Sequence, residues 1–387
     1  MPEFIALIAM HFAMVAFSID GMLPALPDIA QDLSPTDRNR AQLVLISFVF
    51  GMGIGTLFTG PLSDTFGRKP VILGGALLFS LGATLAAQAQ DMTQMLAARI
   101  IQGLGVAGPR IVTLAIVRDL YAGRRMAQIM SYAMMIFTLV PAVAPYLGAF
   151  IIDAYGWRAV FVSFILFCMI ATSWMMIRQP ETLPPAQRRP LKVNALVNAT
   201  RTCFSHRSFS VATMVQALTF GVLFGTLAST EQLFDITFGR AETFPEWFAV
   251  IALLGGIASI INARLVMAIG MRGMIRIGLG AEVILSALVL IVGLTIGTPF
   301  ALYIIWNVSI FFMAGLVIGN LNALAMEPVG HIAGLASSVL GAVATVVGVS
   351  LAAPVGLMFD GTTVPLALAV MVFSGVGFAL VHWMMPE

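Results

Sequence analysis

The chain has 387 residues and a net charge of +2; it is 59% hydrophobic and only 10% charged, against roughly 25% charged residues in a typical soluble domain. That composition excludes a soluble globular protein, and apolar runs that are continuous rather than alternating exclude a β-barrel. What remains is an all-α polytopic membrane protein, for which the lipid bilayer is the first partner and no nucleic acid is expected.

Twelve apolar stretches long enough to cross a bilayer follow one another: 4–26, 41–62, 70–89, 93–116, 127–151, 157–177, 209–232, 245–267, 273–295, 299–323, 332–357 and 364–384. The opening Met-Pro-Glu-Phe lacks a basic n-region and no small-residue cleavage site follows the first stretch, so it is expected to remain as span 1. Between spans 6 and 7 lies a polar stretch rich in Pro, Arg and Asn. It divides the chain into a six-helix bundle over 1–178, a cytoplasmic linker over 179–207 and a second six-helix bundle over 208–387. Cys168 and Cys203 are too few and too differently placed for a disulfide framework.

Basic residues decide the orientation. With the N-terminus inside, the inner connections hold Arg68, Lys69, Arg118, Arg124, Arg125, Arg178, Arg188, Arg189, Lys192, Arg201, Arg207, Arg264, Arg272 and Arg276. The outer ones hold Arg38, Arg40, Arg158 and Arg240. Both termini are therefore expected in the cytoplasm. The halves also echo each other: "GPLSDTFGRKP" (60–70) joins spans 2 and 3, and "NARLVMAIGMRG" (262–273) joins spans 8 and 9. A shift of 203 residues lays Leu62 on Leu265, Gly67 on Gly270 and Lys69 on Arg272. This reads as a six-plus-six duplication, the plan on which many transporters hold substrate near the midplane.

Span 4 carries two arginines in an apolar run. Arg110 is rotated only about 20° from Arg99, and Gln102 and Thr113 fall within about 60° of that direction, so one polar stripe runs along the helix. The arginines are about 16 Å apart along it. A charge facing lipid costs roughly 2.5–3.5 kcal/mol or more, so such groups face a cavity or a partner, unless they snorkel to an interface. Span 1 holds one acid, Asp20, at a depth that matches Arg99. The pair is expected to approach across the first bundle, with Asp20 as the protonatable group. The alternative is an interfacial carboxylate at the helix end before Pro24 and Pro27. Glu231 and Gln232 near the outer end of span 7 are candidate substrate contacts, or a simple solvated acid and its neighbour. Phe17, Phe137, Phe220, Phe224 and Trp306 are candidate aromatic walls for a planar substrate, or plain helix packing. Asn307, a buried amide, needs a partner. The loop residues Gly60, Asp64, Gly67, Arg68 and Lys69 make a tight turn with charges that can pair with Arg118 and nearby helix ends.

At these residues the chain resembles the major facilitator superfamily. "GPLSDTFGRKP" resembles its loop between helices 2 and 3, "RIIQG" (99–103) its Arg-x-x-Gln-Gly motif on helix 4, and "PAVAPYLG" (141–148) the helix 5 motif of its antiporter branch. With "SIDGMLPALPDIA" (18–30), "AIVRDLY" (115–121) and "HIAGLASSVLGAV" (331–343), the whole chain resembles the Bcr/CflA group of drug:proton antiporters. Two stretches depart from that pattern: Val140, Ala144 and Ala149 stand where the helix 5 motif carries glycine, and "STEQLF" (229–234) replaces a small-Pro-aromatic stretch. The resemblance implies the major facilitator fold, a bacterial inner-membrane location and a monomer. It also implies proton coupling through Arg99, a conformational latch at Gly60, Asp64, Gly67, Arg68, Lys69 and Arg118, and a rocking role for Pro141, Pro145 and Gly148. Substrate contacts would come from helices 1, 4, 7 and 10, hence from Arg110, Gln102 and the residues named above. The implied function is proton-driven efflux of small amphipathic drugs or metabolites. Arg110, outside the recognised motif, leaves open proton-coupled uptake of a polar or anionic, vitamin-like heterocycle. No nucleotide-binding G-x-x-x-x-G-K-[ST] occurs, no nucleophile with its base stands out, and the four histidines lack metal-ligand spacing, so neither a pump, an enzyme, a cofactor nor a metal is expected.

Overall fold

A computed structural model describes residues 2–188, 190–191 and 193–384; for residues 127, 134, 137, 138, 193 and 195 it describes the backbone alone. The chain separates into two compact units, Met1–Asn194 and Ala195–Glu387. The first holds α1 (Pro2–Asp20), α2 (Leu26–Leu33), α3 (Gln42–Phe66), α4 (Arg68–Ala87), α5 (Met92–Leu120), α6 (Gly123–Tyr155) and α7 (Arg158–Arg178). Helix α8 (Val193–Ser205) crosses the boundary. The second unit continues with α9 (Arg207–Gln232), α10 (Phe244–Ile269), α11 (Met271–Thr295), α12 (Phe300–Met326), α13 (Ala333–Leu357) and α14 (Val364–Met384). No strand occurs among the described residues, and all of these helices except α2 and α8 are long enough to span a bilayer.

Both units follow one packing plan. The first long helix lies on the fifth (α1 on α6, α9 on α13), the fourth on the second and third (α5 on α3 and α4, α12 on α10 and α11), and the third on the sixth (α4 on α7, α11 on α14). The duplicated loops share their backbone as well. Gly67 ends α3 and starts α4 with φ 101° and ψ 166°, and Gly270 does the same between α10 and α11 with φ 80° and ψ 158°. This region is open in practice only to glycine, so the spacing of 203 residues preserves a conformation.

In the first unit α5 runs between α3 and α4 with almost no side chain intervening. A Cβ at Gly103 would overlap the carbonyl of Phe48, and one at Gly105 the backbone of Phe79. Without a hydrophobic force between helices in lipid, such close contact of small residues is what holds them together. Span 1 runs further than the sequence suggests: after Asp20 a short 3-10 turn and α2 carry the chain on to Leu33. Pro24 and Pro27 each sit at the start of a new helical segment, where a missing N–H costs nothing.

Candidate functional site

Arg99 is fully buried in the first unit. Its Nε donates to the carbonyl of Val44 at 3.2 Å, Nη1 to Gln102 Oε1 at 2.7 Å and Nη2 to the carbonyl of Ser18 at 3.1 Å. The Phe48 ring lies 4.3 Å from the guanidinium carbon and Phe161 5.8 Å away. Ser18 belongs to the last turn of α1, whose closing carbonyls lack intrahelical donors. Arg99 therefore caps the negative end of the α1 dipole. Its charge is met by main-chain oxygens and aromatic faces.

Asp20, two residues beyond Ser18, is buried at 4% exposure and has neither a hydrogen bond nor an ion pair among the described residues. The direct approach of Asp20 to Arg99 expected from their depths is thus not made. Depth follows from the rise of 1.5 Å per residue, but Ser18 and Asp20 point about 200° apart around the helix. Only Ser18 offers its oxygen to the guanidinium. Immediately past Asp20, α6 touches α1 backbone to backbone: a Cβ at Gly148 would overlap the carbonyl of Gly21. The helix 5 motif thereby seats on the turn that presents Asp20. Pro141 and Pro145 lie inside α6 itself.

The polar stripe on α5 is real but uneven. Gln102 and Thr113 are buried, and Gln102 Nε2 and Thr113 Oγ1 have no partner among the described residues. Arg110 is half-buried, and its one contact among them is Met52 Sδ at 3.6 Å. Phe17 packs edge-on against Phe164 and Phe167, with centroids 5.0 and 5.8 Å apart, and lines a half-open apolar groove with Ala13, Val140, Ala144 and the exposed Leu147. The side chain of Phe137 lies outside the described residues.

In the second unit, Phe220 and Phe224 of α9 stand 5.7 Å apart. Glu231 is buried rather than solvated, and Gln232 is half-buried. Asn307 is fully buried, with both amide atoms lacking a partner among the described residues, as does the hydroxyl of the neighbouring Tyr303. Trp306 corrects its reading as a substrate wall. It is fully buried, and its indole N–H donates to Glu282 Oε1 and to Ser286 Oγ, each at 2.9 Å, between α11 and α12. A buried indole N–H needs an acceptor, and the acid on α11 supplies it.

At the α3–α4 loop the charges form a network. Arg68 Nη1 reaches Asp64 Oδ1 at 2.6 Å and Ser63 Oγ at 2.8 Å, and Nε reaches Asp119 Oδ2 at 2.9 Å. Arg118, expected here, is exposed and has no partner among the described residues; Asp119, one position on, holds Arg68 instead. One residue turns a helix by about 100°, and that brings residue 119 rather than 118 to the loop. Lys69 Nζ donates to the carbonyl of Met176 at 2.7 Å. The segment after α7 folds back over the same loop. Glu181 accepts the backbone N–H of Arg68 and of Lys69, both at 3.0 Å, capping the first turn of α4, and Thr182 donates to Asp119 at 2.8 Å. Burial works against the charge on Glu181, but the backbone N–H groups of Leu183, Arg68, Lys69 and Thr182 outweigh it and hold the carboxyl below its usual range. A Cβ at Gly67 would come within 2.9 Å of Glu181 and of the Arg188 guanidinium. Asp119 and Glu181 were not singled out in the sequence; the signal for Glu181 is an acid framed by prolines in "QPETLPP" (179–185).

Paired six-helix units, a duplicated Gly-hinged loop and a few buried intramembrane charges define a polytopic membrane protein of the transporter class. Residues 7–354 match the model of the Major Facilitator Superfamily, and the chain belongs to that family. It is 29% identical to the "Bicyclomycin resistance protein homolog" of Haemophilus influenzae over 90% of this chain and 88% of that one. It is also 29% identical to the "Multidrug resistance protein MdtL" of Citrobacter koseri over 86% of this chain and 83% of that one. Among solved structures it is similar to a D-xylose-proton symporter, with a TM-score of 0.78 at 14% identity over 98% of this chain and 97% of that one, a likeness of fold.

Proposed function

We propose that the chain exports small amphipathic compounds in exchange for protons by alternating access, from a bacterial inner membrane with both termini in the cytoplasm. The observation that carries this reading is Asp20. It is the one acid buried in the first unit among the described residues, it makes no ion pair with them, and it sits where Arg99 anchors the end of α1 and Gly148 packs against the next turn. A carboxyl in that setting can take up and release a proton as the surrounding helices shift, since no salt bridge pins its charge. The resistance proteins among the relatives favour export over uptake. On this reading Arg110, Gln102, Glu231, Gln232 and Asn307 contribute the polar contacts to substrate, and the Arg68 network with Asp64, Lys69 and Gly60 acts as the latch.

The test is transport of an amphipathic antibiotic in proteoliposomes with an imposed pH gradient. Asp20→Asn is expected to abolish gradient-driven flux while keeping substrate exchange at equal pH and substrate-induced thermal stabilisation. Gradient-driven flux at the wild-type rate in Asp20→Asn would remove Asp20 from the coupling step.

A further inference from the structure

Glu282, in the middle of α11, has no part in the proposed mechanism, yet it is buried at 1% exposure in an apolar helix. Three side chains surround its carboxyl. Ser286 Oγ donates to Oε1 at 3.0 Å, Trp306 Nε1 donates to Oε1 at 2.9 Å, and Ser309 Oγ lies 2.9 Å from Oε2. The elements packed against α11 are α10, α12 and α14. Their titratable groups are Glu246 and Arg264 on α10, Tyr303 on α12 and His382 on α14, and α11 itself carries Arg272 and Arg276. The side chains that act on the Glu282 carboxyl are Ser309, Ser286 and Trp306, none of them a cation.

The chemistry of these partners is asymmetric. An indole N–H can only donate, so Oε1 is fixed as an acceptor. A serine hydroxyl donates one proton and accepts others. Ser309 Oγ has two acceptors within reach, Glu282 Oε2 at 2.9 Å and the carbonyl of Trp306 at 2.7 Å, and one proton to give. When that proton goes to Glu282, the ionised carboxylate has all three donors. When it turns to the Trp306 carbonyl, the Ser309 oxygen faces Oε2 as an acceptor, and a proton on Oε2 completes the bond. Both charge states are satisfied by one hydroxyl rotation, with every heavy atom in place. An acid built only for packing would have no need of this exchangeable partner, and an acid paired with arginine would be pinned in one state.

We infer that Glu282 is a second proton-binding site, internal to the C-terminal unit, which exchanges one proton with water and whose state is sensed on α12 through Ser309 and Trp306. It is separate from Asp20 and stands whether or not the chain proves to be an exporter.

Infrared difference spectroscopy of the purified full-length protein, without substrate or gradient, reads the site directly. On titration from about pH 9 to about pH 5, the wild type is expected to gain a protonated-carboxyl C=O band. That band should be missing in Glu282→Gln, present in Asp20→Asn, and shifted in frequency in Ser309→Ala, which deletes the exchangeable partner but keeps the acid. Trp306→Phe should shift it as well. The proposal is overturned if folded Glu282→Gln retains the full set of carboxyl bands. It is overturned equally if neither Ser309→Ala nor Trp306→Phe alters any band, a comparison that holds even where Glu282→Gln does not fold. Failure of drug transport in proteoliposomes would leave these spectra unchanged, so the two readings fail separately.

Discussion

Removing the Glu181 carboxylate should loosen the strap that the segment after α7 lays over the α3–α4 loop. In Glu181→Ala the N–H groups of Arg68 and Lys69, now bonded at 3.0 Å, lose their acceptor at the start of α4. Loss of an N-cap costs about 0.5–2 kcal/mol, and loss of a negative charge at the positive end of a helix about 0.3–1 kcal/mol. Because Glu181 is only partly buried, the combined effect is set at about 1–2 kcal/mol, or roughly a 5- to 30-fold rise in the open population. Hydrogen–deuterium exchange of the Arg68 and Lys69 amides measures that population once normalised for intrinsic rates. Glu181→Gln should fall between wild type and alanine, since it keeps one neutral acceptor. The pH dependence has a defined sign. The folded-state carboxyl lies below its ordinary value, so the strap's contribution is complete above the ordinary carboxylate range and is lost as pH falls through the lowered value. Protection factors in Glu181→Ala equal to wild type at neutral pH would refute the reasoning. So would protection in the wild type that fades while pH is still well above the ordinary carboxylate range.

Four further substitutions, at three positions, examine the frame around the candidate sites. Gly67→Ala and Gly270→Ala both force a side chain into a glycine-only backbone region at about 1–3 kcal/mol. Only at Gly67 would the new Cβ also meet Glu181 and Arg188, whereas Gly270 faces open space, so thermal inactivation should be faster in Gly67→Ala; equal losses would show the strap to be irrelevant. Arg99→Gln should destabilise the fold and lower the yield of folded protein, at about 1–3 kcal/mol for each buried carbonyl left without its donor. Arg99→Lys should recover only part of that, because one ammonium cannot span the carbonyls of Val44 and Ser18 and the Gln102 amide together. Full recovery by lysine would mean that charge alone matters.

What could be read from the chain beforehand was what depends on local pattern. Span positions follow from apolar run length. The Gly67 and Gly270 turns follow from a residue type that alone tolerates their backbone, and the burial of Arg99 from its place inside an apolar helix. What could not be read depends on direction. Helix rise placed Asp20 and Arg99 at one level, but the angle around α1 sent Ser18, not Asp20, to the guanidinium. The same angular step separates Arg118 from Asp119 at the latch. Glu181 meets Arg68 across 113 positions of sequence, with no periodicity to announce it. The surroundings of Glu282 likewise depend on the packing of α11 on α12, which brings Trp306 and Ser309 to it from 24 and 27 positions away in sequence.

The contact between Gly148 and Gly21 has a mechanical consequence. Side chains at most helix crossings can change rotamer and let one helix drift past another by small steps. Here carbonyl meets α-carbon, so there is no soft layer to deform. Helix α6 and the turn after Asp20 must travel together or part company outright. If Asp20 carries the proton as proposed, a seam of this kind would act as a detent, so that a tilt of α6 would change what surrounds the carboxyl in one step and not by degrees.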